Sequence, residues 1–316
     1  MNKFGKTIII TGSILCSVVL SEAVSGLDFT SGQVNTSTHK VTLALRGNPN
    51  RSITIQRFAA SYTWTSIATL LLNGAGTATW VGDIELLLSS GYVFEDTHYG
   101  VYRAYETQNP TIRSSNAYAA FYGTLQQDTQ NLLGNFTSEK SLSEIFPNAE
   151  DGVQISTQFG GVSIVSTFDT LETPKWNPEQ TIKPGQGFWI LANGHNLIGK
   201  IINLSGLYDS NPVSVLLKKN YSTILGPGNA VALPQSYDAA TWLDLFNSNG
   251  YTSSTAPQVP GNQIVTYFQP RGYRVSTFDD IDNLWLPGDE IRIGFGYFYS
   301  NNKQTDYTWV FTRTIW

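Results

Sequence analysis

The sequence predicts an all-β protein of tandem antiparallel sandwich-like modules, each with one short helix. Three observations predict it. Period-two apolar runs recur, among them "HKVTLAL" (39–45), "RSITIQRF" (51–58), "GVSIVSTF" (161–168), "NQIVTYF" (262–268) and "YTWVFTRTIW" (307–316). Turn formers punctuate them at short intervals, as in "GNPN" (47–50), "NGAG" (73–76), "PGQG" (184–187) and "GPGN" (226–229). That combination marks half-buried strands joined by tight turns. Finally, one phrase is written twice: "IKPGQGFWILANG" from Ile182 and "IRIGFGYFYSNN" from Ile291, 109 residues apart.

The N-terminus reads as an export signal. Lys3 and Lys6 precede an apolar run, Thr7–Leu20, and small residues follow at Ser21, Ala23 and Ser25. Residues 1–25 are therefore expected to be a cleaved signal peptide. The run is shorter than the roughly 20 residues of a spanning helix, so no spanning segment is expected in the mature form. Leu15 before Cys16 is bulky where a lipidation signal wants a small residue. Cys16 and Met1 are the sole sulfur residues, and both lie in this leader. A mature chain without thiols excludes disulfides, thiolate nucleophiles and iron–sulfur ligation.

The 316 residues leave room for two or three domains of roughly 100–150 residues each. Hydrophobic content of 41% with 13% aromatics is ample for a packed core and rules out a disordered chain. Charged residues reach 14%, against about 25% in ordinary soluble domains. A formal charge of −5 without a basic cluster speaks against nucleic acid as a partner.

Helical signal is confined to two places. "SLSEIF" (141–146) carries a Ser-x-x-Glu capping box and stops at Pro147, and "DAATWLDLF" (238–246) starts on an N-cap Asp. These two segments align with each other as parts of a longer repeat. "QISTQF" (154–159) matches "QIVTYF" (263–268), and "VSTFD" recurs letter for letter at 165–169 and 275–279. Trp176 and Trp285 match, each with a proline two residues on. "LIGKIINL" (197–204) and "YTWVFTRT" (307–314) match as closing strands. The expected organisation is an N-terminal β domain over 26–127, one module copy over 128–208 and a second over 209–316. A degenerate third copy within 26–127 would place its helix at "WTSIATLL" (64–71).

Gly185 and Gly187 sit two apart, as do Gly294 and Gly296. On a strand each pair would share one face, where a neighbouring ring packs onto bare backbone or a bulge forms. Phe188, Trp189, Tyr297 and Phe298 then contribute large apolar area, with Trp176 and Trp285 as partners. The alternative is an exposed aromatic binding strip.

The order "LLGN" (132–135), "QISTQF", "VSTFDTLETPKW", "IKPGQGFWILANG" resembles the PGxGFF-type tandem β module of exported Gram-negative bacterial proteins of unknown function. That module reads roughly "NLIGNP…iyvW…Y.tyd…W.p…i.PGqGFfv.n". The resemblance covers about 130–205 and, more loosely, 222–316, where Ile293 replaces the proline of the Pro-Gly pair. It implies a secreted or surface protein and transfers no catalytic residue.

The sequence offers little reactive chemistry. His39, His98 and His195 lie far apart without metal-ligand spacing, and no nucleophile elbow or phosphate loop is present. The densest acidic stretch, "FDDIDN" (278–283), offers Asp279, Asp280 and Asp282 as a weak calcium candidate. The matched "FDTLET" (168–173) keeps Asp169 alone, so a turn-forming Asp explains the shared position better. The alternating run into Trp316 resembles an outer-membrane barrel strand, but its companion positions Val310, Thr312 and Thr314 make a weak lipid-facing stripe. No cofactor and no catalytic residue are expected.

The function expected is that of an exported structural or interaction protein, non-catalytic, secreted or held in the cell envelope. Its partner would be a surface glycan or a protein. A carbohydrate-binding protein using exposed Trp189, Trp242 or Trp285 is the first alternative. A secreted hydrolase using the acidic turns is the second.

Overall fold

Antiparallel strands make up most of the chain in the computed structural model, which describes residues 26–58, 63–87, 94–125, 130–226, 261–268, 272–279, 281, 284–286, 296–302 and 305–311. The chain opens with β1 (Asp28–Asn35), β2 (Lys40–Arg46), β3 (Ser52–Phe58), β4 (Trp64–Leu71), β5 (Thr77–Asp83), β6 (Glu85–Leu87), β7 (Phe94–Glu106), β8 (Asn109–Arg113) and β9 (Asn116–Leu125). A middle stretch holds β10 (Gln130–Gly134), β11 (Lys140–Ser141), α1 (Leu142–Ile145), β12 (Gln154–Phe159), β13 (Val162–Phe168), β14 (Trp176–Asn177), β15 (Thr181–Ile182), β16 (Gly187–Leu191), β17 (Ile201–Asn203) and β18 (Gly206–Asp209). The last stretch holds β19 (Val213–Leu217), β20 (Tyr221–Leu225), β21 (Gln263–Phe268), β22 (Gly272–Asp279), β23 (Leu284–Leu286), β24 (Tyr297–Asn301) and β25 (Tyr307–Phe311). The expected signal, the segment 238–246, Trp242, Asp280 and Asp282 lie outside the described residues.

The fold is all-β and sandwich-like, with no closed barrel among the described strands. A three-stranded sheet, β1-β2-β5, covers one face of an eight-stranded sheet whose main path is β17-β9-β7-β3-β4. Strand β9 reads "NAYAAFYGTL", a continuous apolar run rather than an alternating one. Both of its faces are buried, which removes any need for a polar side. Tyr118, Ala120 and Tyr122 pack toward the three-stranded sheet, while Ala117, Ala119 and Phe121 join the larger core beneath the first five-stranded sheet. Gly32 on β1 gives Tyr118 its room: a Cβ there would lie 2.2 Å from the ring.

Two five-stranded sheets follow, ordered β10-β16-β12-β13-β14 and β20-β24-β21-β22-β23. Their ladders coincide position by position. Ile155 pairs with Ser166 and Ile190 in the first, and Ile264 pairs with Ser276 and Tyr299 in the second. Leu132 lies opposite Trp189, and Ile224 lies opposite Phe298. The last pairs also correspond, Phe168 with Trp176 and Phe278 with Trp285. Trp176 is fully buried between Phe146 and Phe168, and its Nε1 donates to Phe146 O at 3.2 Å.

Several expectations change. The segment 64–71 is strand β4, not a helix. Strands β17 and β18 both pair with β9, which precedes the span 128–208. In the same way β25 pairs with β19. Gly185 is not on a strand: it has φ 75° in a turn where Gln186 N donates to Lys183 O. Pro184 then Gly185 at the two central positions is the signature of a type II turn. The helix α1 forms with both capping-box bonds, Ser141 N to Glu144 Oε2 and Glu144 N to Ser141 Oγ.

Candidate functional site

The two five-stranded sheets meet across one apolar seam. Leu132 and Trp189 line it from the first sheet, and Ile224 and Phe298, at the corresponding ladder positions, from the second. The Trp189 ring lies 5.3 Å from Phe298, 5.2 Å from Tyr267 and 6.1 Å from Tyr273. Trp189 is 5% exposed, and its indole N–H has no hydrogen-bond partner among the described residues. Tyr273, at the rim, is 59% exposed. Partial burial, and then the nearby Tyr267, hold the Tyr273 phenol above its ordinary pKa.

The twice-written glycines serve this seam. A Cβ on Gly187 would lie 2.6 Å from Leu225 O, and one on Gly296 would lie 2.4 Å from Leu133 O. Leu133 and Leu225 occupy corresponding positions, so the approach is reciprocal. Gly296 N donates to Leu132 O, and Gly226 N to Gly185 O, tying the sheets together at the same place. The gap left by each glycine is filled chiefly by backbone of the opposite sheet. No ring atom is among the three nearest to either Cβ position.

Beyond the seam, part of the outer edge of β13 and of β22 has no strand partner among the described residues. Their neighbours β14 and β23 pair with 167–168 and 277–279 respectively. Val162, Ile164, Val165, Tyr273 and Val275 are exposed around these edges.

The sequence-predicted site residues fare unevenly. Asp279 Oδ1 accepts from Ile281 N at 2.8 Å, as Asp169 Oδ1 accepts from Leu171 N at 2.9 Å, so each closes a local turn. No group of three or more His, Cys, Asp or Glu that could hold a metal is found among the described residues. His39 and His98, far apart in sequence, stack with ring centroids 4.2 Å apart and planes 3° from parallel, and His39 Nδ1 lies 2.5 Å from Tyr122 Oη. Parallel rings direct their lone pairs along parallel planes, which disfavours convergence on one ion. Only the packing of one sheet on another brings them together, and no spacing rule reveals that. His195 sits in a turn beside Glu150, whose carboxyl also meets Lys200 at 2.8 Å. The Lys200 hydrogen bond is the first cause holding Glu150 below its ordinary pKa. Arg103 lies 3.8 Å over the Trp64 ring, and burial, helped by Arg113, lowers its pKa to about 10.

No protein-family model matches the chain, and no curated protein matches it. Among solved structures, the Sulfolobus turreted icosahedral virus structure is similar at 10% identity, covering 86% of this chain and 81% of that one, with a TM-score of 0.16. A point mutant of Bacillus subtilis oxalate decarboxylase OxdC is similar at 10% identity, covering 71% and 77%, with a TM-score of 0.13. Overlap this low carries no argument about function.

Proposed function

We propose that this chain is an exported, non-catalytic structural or interaction protein, secreted or held in the cell envelope, built from a tandemly duplicated β module of the PGxGFF type. The common strand order and matched ladders of the two five-stranded sheets support the duplication. The basic start and apolar run of residues 1–25 support export. The observation that carries an interaction role is the exposed apolar rim at equivalent strands: Val165 on β13, and Tyr273 with Val275 on β22. Side chains of this kind on open sheet edges are placed to meet a partner.

Carbohydrate remains a second reading because the Tyr273 ring is exposed beside other aromatics. Trp189 is not available as a platform, being buried in the seam.

Fractionation of expressing cells tests the proposal. The protein is expected in the envelope or medium without residues 1–25, and the double variant Tyr273→Ser, Val275→Ser is expected to leave the envelope for the medium with its melting temperature unchanged. Cytoplasmic protein with an intact N-terminus, or an envelope-held parent whose variant stays in the envelope with it, would overturn it.

A further inference from the structure

We propose that the open edge of β13 is a self-association site, at which two copies of this chain pair antiparallel about Ile164. It rests on the proposed interaction role, to which Val165 belongs, and its test reads mass rather than location. The argument starts from the hydrogen-bond alternation of the ladder. Phe168 N donates to Val153 O, on the β12 side, and Asp169 N donates to Lys175 O, on the other. Along β13, even residues therefore turn their N–H and C=O toward β12, and odd residues turn theirs away. Thr167 uses its outward groups on Asn177. Ser163 and Val165 present theirs with no strand partner among the described residues.

The side chains agree with a docking edge. Val162, Ile164 and Val165 are 58%, 38% and 45% exposed, and "VSIV" has no proline, charge or bulge to block a further strand. A Gly160-Gly161 turn, with φ 61° and 81°, holds the hairpin close to its tip, so the edge is pre-formed.

Charge selects the occupant. On β22 the position equivalent to Ile164 is Arg274: Thr157 pairs with Ile164, and Thr266 pairs with Arg274. Two β22 edges brought together in the same way would set Arg274 against Arg274, which is destabilising. Two β13 edges bring no charge opposite another. With the two-fold axis at Ile164, Ser163 of each copy lies opposite Val165 of the other and exchanges backbone hydrogen bonds with it. Ile164 then faces its own counterpart as a non-hydrogen-bonded pair, with Cα atoms about 4.5 Å apart. So short a ladder belongs with the small, weak interfaces, below about 1,200 Å² of buried surface, so association is expected at micromolar concentrations or above.

Sedimentation of the mature chain from about 1 to 300 µM, together with cysteine crosslinking, tests this. The parent is expected to dimerise with concentration, and Ile164→Lys to weaken the dimer at least tenfold while melting normally. Ile164→Cys is expected to form an intermolecular disulfide on mild oxidation, because that Cα separation suits one. Ile198→Cys, elsewhere on the surface and more exposed at 51%, should not. A parent that stays monomeric, an unchanged dimer in Ile164→Lys, or equal crosslinking at 198 would each overturn the proposal. A monomer whose Val165 amide resists exchange would also overturn it, showing that the chain covers its own edge.

Discussion

Replacing Gly187 or Gly296 with alanine forces a methyl group into the backbone of the opposite five-stranded sheet. The added Cβ would stand 2.6 Å from Leu225 O at Gly187 and 2.4 Å from Leu133 O at Gly296, where ordinary contact begins near 3.4 Å. The shortfall approaches 1 Å. At Gly296 the nearest atoms are all Leu133 backbone, and at Gly187 the Leu225 backbone stands beside the Ile224 Cγ2 methyl at 2.5 Å, so a side-chain shift alone cannot clear either site. The sheets must part, and overpacking of this kind costs about 1–3 kcal/mol. At this chain length such a loss lowers the melting temperature by roughly 2–5 °C. Both substitutions open the same seam, so once one has opened it the second finds room. The double variant should fall short of the sum by about 0.5 kcal/mol or more. Gly74→Ala, where a Cβ meets nothing within 4 Å, is the control. Thermal melts of the three single variants and the double variant decide the matter. Gly187→Ala and Gly296→Ala as harmless as Gly74→Ala, or strictly additive, would refute the reciprocal approach.

Trp189→Ala should cost about 3–5 kcal/mol in chemical denaturation, since it empties the ring position between Tyr267 and Phe298. Trp189→Phe should cost clearly less, because it also removes a buried N–H without a partner. Ser141→Ala should cost about 1 kcal/mol by removing the helix cap. Burial pushes the Glu144 carboxyl up, but hydrogen bonds from Ser141 and the charge of Lys140 outweigh this and hold it below its ordinary value. A carboxylate depressed in the folded state contributes stability above its unfolded pKa and loses it as pH falls through the folded one. The Ser141→Ala deficit should therefore shrink in melts run below about pH 4.

The β class was legible because the strands carry their own pattern: "HKVTLAL" buries Val41, Leu43 and Leu45 and turns the residues between them outward. The capping box and its helix were legible for the same local reason. What escaped reading depends on partners distant in sequence. Nothing around Gly187 announces that Leu225 backbone will lie against it. The double burial of "NAYAAFYGTL" hints at a middle layer, but not that the chain returns as β17 and β18 to pair with it. The His39–His98 stack joins a turn of one sheet to a strand of another. Trp189, Tyr273 and Val275 were visible as apolar residues, and their split into a buried seam and an exposed rim follows from how two sheets pack.

Residue-resolved hydrogen exchange of the mature chain at low micromolar concentration tests the central claim most directly, namely two equivalent sheets with matching open edges. The amides of Ser163, Val165, Tyr273 and Val275 should exchange quickly, and those of Ile164, Ser166, Arg274 and Ser276 slowly. Slow exchange at all eight, or alternation in one sheet and not the other, would contradict it.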